Sequence, residues 1–279
     1  EKSNDITIID LNTLNIKGTI PVGKHPKALS YNQCLNTLSV IGGEDKAWMQ
    51  VLDMDTWTQK TSYQFKDELK DIKIHPYLNK SALAGEQGLN LINLPNPIPQ
   101  LTSISPEKAL RGQKSFSFTL NGKGLLEITD IYLNGTKANS TFLGCGSIKV
   151  DVSEGYLKKT GDIEIKAVNP APEGGTSNPL YLKIENPIPQ ISTIDPLETI
   201  AGTPGLTLTV YGTGFFDDTT VYINATPRTF TLISQTKMQI NITSSDLEVG
   251  AYLQVTAANL LPGGGLSNKA VFTVLNPVP

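Results

Sequence analysis

Hydrophobic and polar residues alternate along most of the chain with a period of two, the spacing that sends successive side chains to opposite faces of a β-strand. In the first 95 residues this pattern predicts short strands over 6–11, 16–22, 28–31, 37–41, 49–54, 60–65, 69–74, 81–84 and 89–94, with turn residues between them. Farther on, Leu206, Leu208 and Val210 mark another strand, as do Val221 with Ile223, Met238 with Ile240 and Ile242, Tyr252 with Val255, and Val271, Phe272 and Val274. No helical period competes with these patterns, so an all-β fold is predicted.

The pattern also repeats. Asn96-Pro97-Ile98-Pro99-Gln100 returns 90 residues later as Asn186-Pro187-Ile188-Pro189-Gln190, and Asn276-Pro277-Val278-Pro279 closes the sequence. Paired prolines fix φ and remove backbone donors, so each copy is expected to be a stiff extended joint. The register of 90 holds through Pro106 and Pro196, Gly122 and Gly212, Gly124 and Gly214, Tyr132 and Tyr222, Asn134 and Asn224, and Asn169 and Asn259. Two copies of one complete domain follow, 96–185 and 186–275, with 276–279 as the start of a further joint. Five or more short strands per copy suit a seven-strand immunoglobulin-like β-sandwich.

Residues 1–95 hold a second period, of 43, that sets Asp10 on Asp53, Leu29 on Ile72, Tyr31 on Ile74, Asn36 on Asn79 and Gly42 on Gly85. Four short strands per repeat of this length is the period of a β-propeller blade. About two blades are expected, too few to close a ring, which leaves two open sheet faces and unpaired edges.

Ile6-Thr7-Ile8-Ile9-Asp10-Leu11-Asn12-Thr13-Leu14 followed by Gly18-Thr19-Ile20-Pro21-Val22-Gly23-Lys24-His25-Pro26 resembles the secreted bacterial propellers of the YVTN and lactonase-like type. The second copy keeps Val51-Leu52-Asp53-Met54-Asp55-Thr56 but lacks the glycine and proline of the turn. The 90-residue units resemble IPT/TIG domains through Tyr211-Gly212-Thr213-Gly214-Phe215, Val221-Tyr222-Ile223-Asn224 and Pro262-Gly263-Gly264-Gly265-x-Ser267-Asn268. In the first unit the matching residues include Asn121-Gly122-Lys123-Gly124-Leu125 and Ile131-Tyr132-Leu133-Asn134-Gly135; Leu125 stands where the family prefers an aromatic. The architecture expected from both resemblances is two partial-propeller blades followed by two immunoglobulin-like β-sandwiches. The second resemblance also implies that Phe215 packs as core.

Charge and chemistry narrow the function. The 23 basic and 26 acidic residues nearly balance, and Arg111 and Arg228 are the only arginines, so nucleic acid is not an expected partner. No apolar run is long enough for a spanning helix, and the opening Glu1-Lys2-Ser3-Asn4 is not a signal peptide, which reads as a mature or excised piece. Gly122, Gly124, Gly212 and Gly214 lack the lysine and helix onset of a phosphate loop and are read as structural turns that need positive φ. Asp217-Asp218, Asp53-x-Asp55 and Glu44-Asp45 have no calcium-loop spacing and are read as solvated surface, while His25 and His75 each precede a proline in a turn. No catalytic, cofactor or metal residues are assigned, and no enzyme activity is expected. Cys34 and Cys145 fall in different domains and are read first as unpaired, partly buried thiols, while spacing leaves open a bond between them across the domain boundary. The aromatic candidates for ligand contact are Trp48, Trp57 and Phe216. Sequons at Asn134, Asn139, Asn224 and Asn241 matter only in a eukaryotic secretory host.

The expected role is a non-catalytic structural and interaction region of a large bacterial extracellular or cell-surface protein. Its sandwiches serve as rigid spacers, and its blades as a binding head completed by other polypeptide, with a glycan or a surface protein as further partner. The alternatives are a carbohydrate-binding accessory region of a secreted hydrolase, which needs exposed aromatics in a row, and a DNA-reading sandwich, which needs basic loops.

Overall fold

A computed structural model describes residues 3–277; of the terminal joint, Val278 and Pro279 lie outside the described residues. Among the described residues the fold is all-β, with two short 3-10 turns, Glu154–Lys158 and Ser244–Leu247. It divides into two compact units. One holds the chain up to Ser105 with Phe118–Asp151 and Glu164–Leu180; the other holds Pro106–Ser117, Val152–Ile163 and the chain from Tyr181 on.

In the first unit nine strands build three antiparallel sheets. β1 (Asp5–Ile9) pairs with β2 (Ile16–Pro21); β3 (Pro26–Asn32), β4 (Thr37–Gly42), β5 (Ala47–Asp53) and β6 (Thr58–Phe65) form a four-stranded meander; and β7 (Leu69–His75), β8 (Lys80–Gly85) and β9 (Gly88–Asn93) form a third sheet. The expected propeller is not formed as such: no sheet closes, and the strands make three separate sheets instead of two blades. These sheets do stack face to face. Ile20, Leu38, Val40, Trp48 and Leu52 pack between the first and second sheets, and Ile41, Met49, Val51, Leu69, Ile72 and Leu83 between the second and third. β4 is therefore covered on both faces, which is why it is buried along its whole length.

The period of 43 is physical as well as textual. Asp10 and Asp53 each accept two backbone amides in the turn that follows them, from Asn12 and Thr13 in one case and from Asp55 and Thr56 in the other. Asn32 Oδ1 takes the amides of Cys34 and Leu35, and 43 residues on His75 Nδ1 takes those of Tyr77 and Leu78. A third partial copy follows at an offset of 40. The amide of Leu94 bonds Asn79 O at 3.0 Å as that of Met54 bonds Asn36 O at 3.0 Å, which sets β9 on β5.

The second 90-residue repeat is a two-sheet sandwich. One sheet runs in the order Gln190–Asp195, Leu206–Thr213, Lys237–Ile242, Phe230–Ser234; the other runs Glu198–Ile200, Ala270–Leu275, Ala251–Asn259, Thr220–Ile223, Thr226–Arg228. Phe215 and Phe272 are fully buried in its core with Leu208, Val210, Ile240 and Val255. The first repeat uses the same pairings where they fall within one unit, including the parallel pair of Lys108–Leu110 with Leu180–Glu185, matched by Glu198–Ile200 with Ala270–Leu275.

Candidate functional site

The polar residues that recur between the two large repeats are spent on the fold. Asn259 is buried; its Nδ2 donates to Pro187 O and Gly214 O at 2.9 and 2.8 Å, and its Oδ1 accepts from Thr219 Oγ1 at 2.6 Å. Asn169 makes the same three bonds, to Pro97 O, Gly124 O and Thr129 Oγ1. Asn178 and Asn268 each exchange two hydrogen bonds with a strand backbone, at Leu101 and Ile191. Asn134 and Asn224, two of the sequon asparagines, accept the amides of Glu164 and Gln254. The joint asparagines, Asn96 and Asn186, tie down the proline-glycine loops at Pro170–Gly174 and Leu260–Gly264.

The four turn glycines divide by cause. Gly124 and Gly214 have φ of 70° and 75°, where a side chain is strained. Gly122 and Gly212 are needed for space: a Cβ would lie 2.5 Å from Gln100 O and 2.0 Å from Gln190 O.

Two of the three candidate aromatics are buried and the third is half-buried. Trp48 is buried with Nε1 donating to Lys24 O at 2.8 Å, and a Cβ at Gly23 or Gly42 would strike its ring. Trp57 is half-buried over Gly18. Phe216 is buried beneath the Arg111 guanidinium, 4.1 Å from its centroid. That guanidinium also reaches Asp218 at 2.8 Å and Asp217 at 3.1 Å, so these carboxylates, expected as solvated surface, are exposed but ion-paired. Arg228 pairs with Asp246 in turn. The burial of Asp246 raises its pKa, but bonds from the Thr243 side chain and amide and from Arg228 outweigh that and hold it below the usual value.

The favoured reading of unpaired thiols gives way to the alternative left open: Cys34, in the turn after β3, is bonded to Cys145 at the tip of the Gly144-Cys145-Gly146 hairpin, with Cα atoms 4.8 Å apart. Sequence spacing could not show this, because 111 residues separate the two and only the folded turn and hairpin bring them together.

Two features of the first unit are open to a partner. One is a cleft of about 830 Å³ in the first unit, lined by Asn36, Asp53, Lys60, Ile98, Lys123 and Glu173 among others. Burial pushes the Asp53 pKa up, but Lys60 and the amides of Thr56 and Asp55 more than offset it, leaving a carboxylate held ionised. The lining offers carboxylates, amides and ammonium groups but no nucleophile paired with a base, and among the described residues no cluster could hold a metal ion. The other feature is the outer face of the third sheet. Leu89 and Leu91 are 68% and 74% exposed, whereas Met49 and Val51, their counterparts on β5, are 0% and 5% exposed. Ile9, on the outer face of β1, is likewise exposed where its counterpart Leu52 is buried.

The sequence matches the IPT/TIG domain family over residues 189–274, so the second repeat contains an IPT/TIG domain. No curated protein sequence matches the chain. Among solved structures, the plexin A4 extracellular region is similar at 13% identity and a TM-score of 0.28, covering 95% of this chain and 35% of its own. The SGBP-B protein of the Bacteroides ovatus mixed-linkage glucan utilization locus, solved with a mixed-linkage heptasaccharide, is similar at 15% identity and a TM-score of 0.26, over 99% of this chain and 64% of its own. The Yersinia pseudotuberculosis adhesin InvE is similar at 12% identity and a TM-score of 0.35, over 62% and 58%. The chain thus spans less than two thirds of each of these three structures. Among the described residues no helix is long and apolar enough to cross a membrane.

Proposed function

We propose that this chain is a non-catalytic structural and interaction region of an extracellular or cell-surface protein. The two sandwiches act as spacers, and the three stacked sheets act as an assembly element covered by other polypeptide. The observation that carries this reading is the reversal at β9: Leu89 and Leu91 stand in water where Met49 and Val51, at the same places on β5, are buried by the next sheet. Burying such a pair is worth about 1.5–3 kcal/mol per side chain, enough to drive association of a matching sheet. The Cys34–Cys145 bond supports an oxidising compartment. The burial of Trp48 and of Phe216 beneath Arg111 takes two of the three candidate rings away from a sugar-stacking role, and the engagement of both arginines with carboxylates weighs against a DNA-reading one.

The test is sedimentation equilibrium and apolar-dye binding on the full chain and on a Leu89→Lys/Leu91→Lys variant. Native dye binding and self- or partner-association that the variant loses, with melting unchanged, supports the proposal. A wild-type 30.1 kDa monomer that binds no more dye than the variant refutes it.

A further inference from the structure

In the first unit β7 shows what a covered strand looks like. Ile72, opposite Leu83 across the β7–β8 pair, is 0% exposed. β3 of the second sheet lies over this strand, with Ala28 packed into the shared core and Ser30 Oγ accepting the amide of Ile74 at 3.1 Å. β3 holds the same place one repeat earlier, and its own outer face is bare. Leu29 and Tyr31, 43 residues before Ile72 and Ile74, stand opposite Val40 and Leu38, which the first sheet buries, yet they are 53% and 52% exposed.

The make-up of the first sheet accounts for the difference. Its two strands are the counterparts of β5 and β6: Ile6 lies opposite Ile20 as Met49, 43 residues on, lies opposite Tyr63. No strand in it corresponds to β3 or β4. Among the described residues β1 pairs with β2 alone. Val22 N bonds Asn4 O at 2.8 Å, and alternation from that bond turns the amides of Asp5 and Thr7 to the edge of β1 away from β2. Because β3 stacks on its counterpart β7, a strand in the empty place beyond that edge would stack on β3. An unpaired edge beside uncovered apolar side chains is what strand addition uses.

We infer that the open edge of β1 takes up a β-hairpin from polypeptide outside these 279 residues, its first strand antiparallel to β1 and its second laid over Leu29 and Tyr31. The amides of Asp5 and Thr7 donate to the added strand, and small or apolar side chains, in the places that Ala28 and Ser30 hold over β7, close the face. This attachment rests on the reading of the stacked sheets as an assembly element but uses none of the residues of the β9 face.

The test supplies the hairpin. A copy of residues 26–43 with Cys34→Ser is joined to Glu1 of the full chain, so that Glu1-Lys2-Ser3 stands where Glu44-Asp45-Lys46 stands between β4 and β5. Uptake predicts about tenfold slower exchange of the Asp5 and Thr7 amides than in the parent. The slowing should vanish when the full-chain part carries Leu29→Lys/Tyr31→Lys, a change the parent tolerates with unchanged melting. The same slowing is expected in a Leu89→Lys/Leu91→Lys background, which tells failure here from failure at the β9 face. Equal exchange in parent and extended chains overturns the inference, as does slowing that survives Leu29→Lys/Tyr31→Lys. So does slowing in the parent alone as its concentration rises, since that would put a second copy of this chain on the edge.

Discussion

Asn259→Ala removes the buried side chain that ties the Pro187 joint, the Gly214 turn and Thr219 together. Three hydrogen bonds are lost, each worth about 1 kcal/mol net, and two carbonyls are left facing a space with no donor, at about 1 kcal/mol or more apiece where water cannot reach them. An expected loss of about 3–5 kcal/mol follows for the second repeat. Asn169→Ala should cost the first repeat the same, because its bonds are the same three. Asn259→Asp adds a sign that can be checked. A carboxylate facing two carbonyl oxygens is disfavoured, so its folded pKa lies above the unfolded value of about 4. The variant is then least damaged below the unfolded pKa, and it loses stability as pH rises through the folded one. Both tryptophans, Trp48 and Trp57, lie in the first 95 residues, so indole fluorescence does not report on the sandwiches. Native-state amide exchange over 206–213 and 251–259 does. A loss below about 1 kcal/mol for Asn259→Ala, or a clearly larger one for Asn169→Ala, would refute the claim that the repeated asparagines are one structural device.

Two further outcomes are expected. Reducing the Cys34–Cys145 bond, or Cys34→Ser, should lower the guanidinium midpoint seen by indole fluorescence; closing a loop of this size removes about 4–5 kcal/mol of unfolded-state entropy, an upper figure, and an unchanged midpoint would show that the bond constrains nothing. Arg111→Ala should destabilise the second unit by about 2 kcal/mol through lost stacking on Phe216 and two unpaired carboxylates, whereas Asp218→Ala, at an exposed pair, should cost under about 1 kcal/mol and less at high salt; equal losses in urea denaturation would put the energy in the ion pair instead of the ring.

Strand positions, both periods and the core role of Phe215 were legible because alternation and register are local properties of the sequence. The glycine turns were legible as turns but only half understood. Gly214 answers a backbone angle and Gly212 answers a carbonyl, and a sequence cannot tell one cause from the other. The missing glycine in the second 43-residue copy has a physical explanation. Gly23 makes room for the Trp48 ring, while the β9 residue in the place of Trp48, 40 positions on, is Gly88, so Lys66 at the place of Gly23 has no indole to admit. The third partial copy went unseen because its offset shrinks to 40 across the short Gly85 to Gly88 turn. The disulfide and the Arg111 clamp join residues more than a hundred positions apart, and no local pattern encodes such pairs.

A chain built from repeats carries its own comparison, and here that comparison separates scaffold from surface. Where two copies agree, as at Asn169 and Asn259 or Asn178 and Asn268, the side chain is buried in the same bonds and the agreement records a backbone requirement. Where they differ, the difference falls at contacts. Cys145 and Gln235 occupy one position, and each meets the segment before it, covalently in one case and by packing in the other. Met49 and Leu89 also occupy one position, and they differ in environment because a third sheet covers only the first. A position that keeps its apolar character while losing its cover violates the rule that exposed apolar clusters are avoided unless something binds them. On that argument a binding surface of this chain is sought at its mismatched face, Leu89 with Leu91, and not among the residues that recur.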